Sequence, residues 1–599
     1  MKHLNLVSRM PLTTEEQRLL KLARWMGVPT RTTPISKGST LTSHFPAEAE
    51  GPRSCVVMSA ETLALTHEAS PLGLANFVQQ RCAELLVFGF RDSPSYGSIL
   101  SWLTQGVVRG VRGATPHEEN AFDLPSSARD ISCQFAGLSF STGRSGSVPT
   151  FDQAVNAVSA RAILRSNHRP VFIRMVMPSC DIFLLAGADV PDIDERLSPI
   201  EGVEAHYDQL IPLLVFLRRS FAKTCWHAPQ STARFIIDDA LLSERYGFLD
   251  YRALLTSMSR ERYGTSIAFI PWNYRRTSHR TASSLFERRK DVSICVHGCD
   301  HTNKEFDAAD RALLEAKATL ALDRMERHHA RTGLPFERVM VFPQGRFSSH
   351  ALLALRNADY LAAVNSTCFP SDPQSGPLTI GDFLRPAITR FHGMPLFQRR
   401  YPRRLIDSAF DIFLGKPALL VEHHQYFRNG FADLEEFVIA LRNLDPALVW
   451  PTLSAQLTHS CIKRFVSSET VEVQFFTKRF RIQNTDGDRR HLRLAKYEPD
   501  VSTIKAVLVD GDSVPFSLVK DFVEVEVEAG PGQARDIEIV NHPRPRGNAR
   551  RMGLIHNSRV LVRRSLSEFR DNALARHPRL LHAATGLARG LRLTGDRHG

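Results

Sequence analysis

The chain has 599 residues, 43% hydrophobic and 23% charged, with a formal net charge of +13. That is the balance of ordinary globular protein, with room for about three or four domains, so disordered and fibrous classes are excluded. No run of about 18 apolar residues occurs, which excludes a membrane-spanning helix, and nine scattered cysteines show no disulfide framework and suit a reducing compartment.

The amino terminus "MKHLNLVSRMPLTTEEQRLLKLARW" lacks the apolar stretch of a signal peptide, so a cytoplasmic protein is expected. Residues 1–225 read as an α/β domain of unknown role. "EEQRLLKLARWMG" has helical spacing and a glycine stop, and "DQLIPLLVFLRRSFA" is a second helix. "SCVVMSA", "ELLVFGF", "PVFIRMVM" and "CDIFLLAGA" are short apolar runs that read as buried strands. No chemical motif appears among them.

Residues 226–457 alternate strand and helix signals. "ARFIIDD", "TSIAFIPW", "VSICVHG", "ERVMVFPQG", "LAAVNST" and "ALLVEHHQYF" predict strands, with helices between them that include "DAADRALLEAKATLALDRMERHHART". Such alternation predicts parallel β/α units, and continuous apolar strands predict a sheet covered on both faces. In such folds chemistry gathers at the strand C-termini. Asp238–Asp239, His297, Pro343–Gly345 and His423–His424 all fall there.

Residues 466–542 change to period two, as in "TVEVQFFTKRFRIQN" and "FVEVEVEAG", with turns such as "TDGD" and "VDGD" between runs. They predict a small antiparallel β-sandwich. Residues 543–599 form an Arg-rich tail. From 541 onward there are 13 arginines against three acidic residues, which leaves the rest of the chain near neutral. A solvated face is the plain reading of this tail. Contact with the anionic inner face of a membrane is the functional one, and nucleic acid has no strong case.

The segment "SICVHGCDHTNKEFD" sets Cys295, His297, Cys299 and His301 at every second position. On a strand such positions are about 6.6–6.8 Å apart, whereas ligands of one zinc lie within roughly 4 Å of each other. The four do not converge on one ion. The cysteines read as packing, and His297 and His301 as half a site that a turn at Gly298 brings together. Asp300 is a candidate to hold the far nitrogen of an imidazole. A catalytic divalent ion takes about three protein ligands, so a carboxylate must come from elsewhere. "FIIDD" supplies two, one for the ion and one as a general base. Read without the histidines, the Asp pair would be a helix N-cap.

Together these residues resemble the polysaccharide deacetylase superfamily, the NodB-homology group of carbohydrate esterase family 4. The strand ending in Asp238–Asp239, the HxxxH of His297 and His301, the Pro-Gly loop "FPQGRFS", and "LLVEHH" ending near His423 follow the family's order, over roughly 230–455. The resemblance implies a distorted (β/α) barrel and a metal-dependent carbohydrate deacetylase, a C–N amide hydrolase. It implies Asp239, His297 and His301 on a divalent metal, typically zinc, with Asp238 as base and His423 as acid. The substrate would be an N-acetylated sugar of a surface polysaccharide or its cytoplasmic precursor, and the enzyme would sit in the cytoplasm or against the inner face of the membrane.

The pattern departs from the family in places. Ala240 replaces a glycine, and no acidic-Trp motif stands between 345 and 419. Val341 replaces an arginine that orients the base, a role for which Arg346 or Arg385 is available. Two alternatives therefore stand: a degenerate glycan-binding scaffold, or an amidohydrolase acting on a non-sugar amide. His424 reads as outward or supporting, and Trp450 as barrel core or sugar platform. His328 and His329 read as surface residues.

Overall fold

A computed structural model describes residues 2–35, 53–113, 120–143, 148–153, 160–187, 189–372, 375–542, 553–573 and 575. Its centre is a parallel sheet of seven short apolar strands: β1 (Ala233–Asp238), β2 (Thr265–Phe269), β3 (Val292–His297), β4 (Glu337–Val341), β5 (Ala362–Asn365), β6 (Leu396–Gln398) and β7 (Ala418–His423). Their order is β6-β5-β4-β3-β2-β1-β7, and every pairing is parallel. The sheet nearly closes on itself just beyond β6. There the Arg400 N–H donates to the Leu419 carbonyl (2.8 Å) and its own carbonyl accepts from Val421 (2.9 Å). This is the (β/α) barrel that the family resemblance implied, built from the parallel β/α units that the alternating pattern predicted.

Strand alternation sorts the side chains into two cores. Ile236, Ala268, Cys295, Val341, Phe397 and Leu419 point inward and form one buried cluster. Phe235, Ile267, Ile294, Met340 and Leu420 point outward into a second cluster. Leu453 and Leu457, on the helix Leu453–Thr458, join the inner cluster together with Phe476 of the following module. The N-terminal end of the barrel also holds Arg234, fully buried and donating to Ser266, Ser293 and the carbonyls of Thr265 and Pro451.

The N-terminal region folds as a nine-stranded mixed sheet with helices. It shares one continuous core with the outer face of the barrel. Helix α1 (Tyr207–Phe221) and helix α3 (Leu405–Leu414) meet through the rings of Tyr207 and Phe410, 4.4 Å apart. Between them in sequence lies α2 (Arg311–Thr332), capped by Asp310 and ended by Gly333 in the left-handed conformation. His328 on α2 is not a surface residue: it is fully buried, 2.8 Å from the Thr277 hydroxyl and against the Phe269 ring. The helix carries it on the face turned to the barrel.

From Cys461 to Asn541 the chain forms a five-stranded and a four-stranded sheet around one shared core. The strands Thr470–Phe475 and Arg490–Tyr497 pair in parallel, a departure from the expected antiparallel order that the intervening strand Arg479–Gln483 makes possible by crossing to the other sheet. Of the Arg-rich segment, residues 543–552, 574 and 576–599 lie outside the described residues, and the C-terminal helix α4 (Leu554–Asn572) lies within them.

The barrel seam carries a buried charge cluster. Arg400 donates from Nε to Asp411 (2.7 Å) and pairs with Glu204 of the N-terminal region, while Lys416 Nζ lies 3.0 Å from Asp411. Burial pushes the Asp411 carboxyl up, but Arg400 and Lys416 outweigh it and hold it below its usual range. Removing one member leaves its partners buried and poorly compensated. Arg400→Met is therefore expected to cost about 3–5 kcal/mol, seen as a lower denaturant midpoint; an unchanged midpoint would show that the seam does not depend on this pair.

Candidate functional site

Three site residues occupy the last inward-facing positions of their strands, and a fourth, Arg399, follows directly after its strand on the same face. Asp238 follows Ile236 by two residues, His297 follows Cys295, Arg399 follows Phe397, and His423 follows Leu419 by four. Period-two alternation thus raises them together at the C-terminal mouth of the barrel. Asp238 and His423 are register partners on neighbouring strands. Asp239 should face outward by the same alternation, but its φ of +68° breaks the strand and turns its carboxylate inward.

Asp239 Oδ1 lies 3.1 Å from His297 Nε2 and 2.8 Å from His301 Nε2. His423 stands on the other side, its Nε2 4.0 Å from Asp239 Oδ2, with a side chain 41% exposed. His297 Nδ1 is 3.0 Å from the Val341 carbonyl, which can only accept. Nδ1 therefore carries the proton, and in the neutral ring the Nε2 lone pair faces Asp239. Asp239 Oδ1 is buried with no hydrogen-bond partner despite these two close nitrogens. An anionic oxygen opposed to a lone pair calls for a cation between them, and the one-carboxylate, two-imidazole donor set fits a divalent ion of the zinc type.

The turn carrying His301 is fixed by Glu305. Its carboxylate accepts the backbone N–H groups of Cys299 (3.0 Å), Asp300 (2.8 Å) and His301 (3.1 Å). Gly298, at φ +61°, admits no side chain: a Cβ would lie 2.4 Å from Pro343 Cγ and 2.6 Å from Glu305 Oε2. The Pro-Gly loop thus packs on the ligand turn. Cys299, Asp300 and Glu305 also cluster, but their acids are already engaged, Asp300 by Arg324 (2.6 Å) and by His556 of α4 (2.9 Å). Asp300 does hold an imidazole, though it is that of His556 and not of a ligand. Cys295 and Cys299 are fully buried, and burial pushes both thiols well up.

The arginine expected near the base comes from a place the sequence did not suggest. Arg399 grips Asp238 with two hydrogen bonds, Nη1 to Oδ1 (2.7 Å) and Nη2 to Oδ2 (2.6 Å). Burial alone would raise the Asp238 carboxyl; Arg399, with His297 behind it, overrides burial and holds it below the usual range. Burial likewise opposes ionisation of Asp239, and that carboxyl stays well below its usual value only with positive charge at the two imidazoles, which neutral rings leave to a cation to supply.

Arg346 and Arg385 do not reach Asp238. Arg346 is half-exposed and pairs with Asp307, 2.9 Å away. Arg385 is partly buried, and the acid acting on it is Asp382. Trp450 is no sugar platform: it packs on Tyr263, just before β2, at the opposite end of the barrel. His424 is buried against Tyr246 and Phe248, with Nε2 3.5 Å from Asp571 of α4. It follows His423 by one residue and so takes the opposite face. Arg399 carries no periodic signal because β6 spans three residues, too few for an alternating pattern; the tandem Arg399–Arg400 after "PLF" is its trace in the sequence.

Fold and site together define a parallel (β/α) barrel with an Asp–His–His cluster at its strand ends. No protein-family model matches the chain, and no curated protein does. Solved structures similar to it include the carbohydrate deacetylase Agd3, at 10% identity and a TM-score of 0.47, covering 90% of this chain and 99% of that one. A family 4 carbohydrate esterase from Streptomyces lividans in complex with acetate matches 38% of this chain and 95% of its own, at 11% identity and a TM-score of 0.24. A CE4-family pseudoenzyme from Bacillus anthracis matches 38% of this chain and 66% of its own, at 10% identity and a TM-score of 0.25.

The Glu305 turn yields a prediction. Glu305→Gln removes the charge that three N–H groups share, so a loss of about 1–3 kcal/mol is expected. Amide exchange at residues 299–301 would read it, and unaltered protection there would show that neighbouring packing alone fixes the turn.

Proposed function

We propose that this protein is a divalent-metal-dependent hydrolase that removes an N-acetyl group from a sugar, on a surface polysaccharide or its cytoplasmic precursor. The observation that carries this reading is the buried Asp239 Oδ1 facing two imidazole nitrogens, with the Arg399-bound Asp238 and the exposed His423 on either side. Asp239, His297 and His301 would hold the ion, which would polarise an amide carbonyl and acidify water.

Asp238 would take the proton from the attacking water. Arg399 keeps it ionised and fixes the plane of its carboxylate. His423 would give a proton to the departing amine, so that the C–N bond breaks to acetate and a free amino group. The open side of His423 leaves that nitrogen accessible to a substrate in the mouth. The scaffold alternative drew on the missing arginine at Val341 and on the two added domains; Arg399 answers the first motive and leaves the second. A non-sugar amide stays the competing substrate class.

Two experiments test the reading. Purified protein should carry about one divalent ion per chain and release acetate from N-acetylated oligosaccharides; His301→Ala should lose the ion. A wild-type chain that holds no ion under zinc loading, or an Ala variant that keeps it, would defeat the assignment. The second concerns the base. With Arg399→Met, the main charge that opposes burial at Asp238 is gone, so its carboxyl rises. The acid limb of the kcat/KM profile should then move about one unit or more to higher pH, while Asp238→Asn lowers kcat by about 10²–10⁴. An unmoved acid limb would mean that Asp238 is not the base.

A further inference from the structure

The C-terminal helix α4 has its polarity reversed for a helix packed on a protein. It crosses the ends of four adjacent barrel strands in sheet order. His556 reaches Asp300 after β3 (2.9 Å), and Glu568 pairs with Arg276 after β2 (2.6 Å). Asp571 accepts from the Tyr246 hydroxyl after β1 (2.7 Å) and lies 3.5 Å from His424 after β7. Asn572 accepts the Gly247 N–H (2.8 Å). The face turned to the barrel is therefore mostly polar, with Val560 and Arg564 buried between the anchors.

The outward face is apolar. Ile555, Val562, Leu566 and Phe569 follow at spacings of seven, four and three, one helical stripe, and are 74%, 59%, 64% and 58% exposed. With Leu554 and Leu561 this helix exposes six large hydrophobic side chains, whereas no other described element exposes more than two. An apolar concentration of this kind marks a surface that something covers. No helix among the described residues is long and apolar enough to cross a membrane.

Charge identifies the occupant. The charged residues exposed on the outer side of α4 are Arg559 and the half-exposed Arg570, which also pairs with Asp571 (2.7 Å), while its acids Glu568 and Asp571 are turned to the barrel and paired. The sequence from 541 onward, α4 included, holds 13 arginines against three acids. A second copy of this chain would bring arginine against arginine across the same stripe. A flat anionic surface that also accepts apolar side chains satisfies both features, and a bilayer of anionic lipid is such a surface.

We propose that the outward face of α4 docks on an anionic lipid bilayer, with the helix axis in the membrane plane. Because the same helix lines the rim of the barrel mouth, docking sets the candidate site beside the headgroups. A sugar carried on a lipid would then be within reach; that consequence rests on the proposed deacetylase activity, whereas docking does not.

The test is flotation of the full-length chain with vesicles of phosphatidylglycerol mixed with phosphatidylcholine, against vesicles of phosphatidylcholine alone. Binding is expected to the mixed vesicles only, to weaken with salt, and to fall on the order of tenfold or more in Leu566→Asp and in Phe569→Asp. Both side chains are exposed, so the variants should melt like wild type. Equal flotation with both vesicle types, no flotation with either, or binding unaffected by the two variants would each overturn the proposal. So would a concentration-dependent dimer that Leu566→Asp abolishes in a chain that ignores vesicles. Acetate release plays no part in these readings, so loss of the enzymatic proposal and loss of this one are told apart.

Discussion

A parallel sheet that closes on itself has one inward-facing position at the end of each strand, and the candidate site depends on that constraint. Once Ile236, Cys295, Phe397 and Leu419 are committed to the inner core, the residues two or four further along have nowhere else to point. Asp238, His297, Arg399 and His423 are brought within reach of each other by strand spacing together with the closing of the sheet. The seam through Arg400 matters for this reason. Without closure, β6 and β7 would be opposite edges of an open sheet, and Arg399 could not reach Asp238.

The mouth concentrates ionisable groups where water is scarce, so each must be answered by a partner. Arg399 answers Asp238 in a two-pronged grip. Asp239 is answered only by nitrogens of which one presents its lone pair, and this incomplete balance is what points to a cation. Glu305 is satisfied by three backbone N–H groups and serves geometry, since it fixes the turn from which His301 projects. The same rule explains why the neighbouring Cys299–Asp300–Glu305 cluster is structural: its charges are already met by Arg324, His556 and the backbone.

The C-terminal helix links the mouth to whatever lies outside it. It is held by hydrogen bonds and ion pairs along one face and leaves its apolar stripe free. Contacts of that kind give specificity at a modest net stabilisation. The helix sets this stripe on the side of the barrel that holds the candidate site, the side on which the proposed docking would take place.

The sequence by itself determined six of the seven barrel strands and their alternation with helices, the strand ends at which chemistry gathers, and the candidates Asp238, Asp239, His297, His301 and His423. Those features are local: apolar runs long enough to show their period, and polar residues directly after them. It also excluded the four-ligand reading of residues 295–301, since strand spacing is fixed by the backbone. Only the tertiary structure decided the rest. Arg399 in place of Arg346 or Arg385 depends on a three-residue strand and a barrel closure between residues distant in sequence. The burial of His328 and His424, the placing of Trp450 at the far end, and the crossing of α4 over four strand ends are likewise set by which surfaces meet. Local pattern carries no information about that, because the same helix or strand suits many neighbours until the chain closes around it.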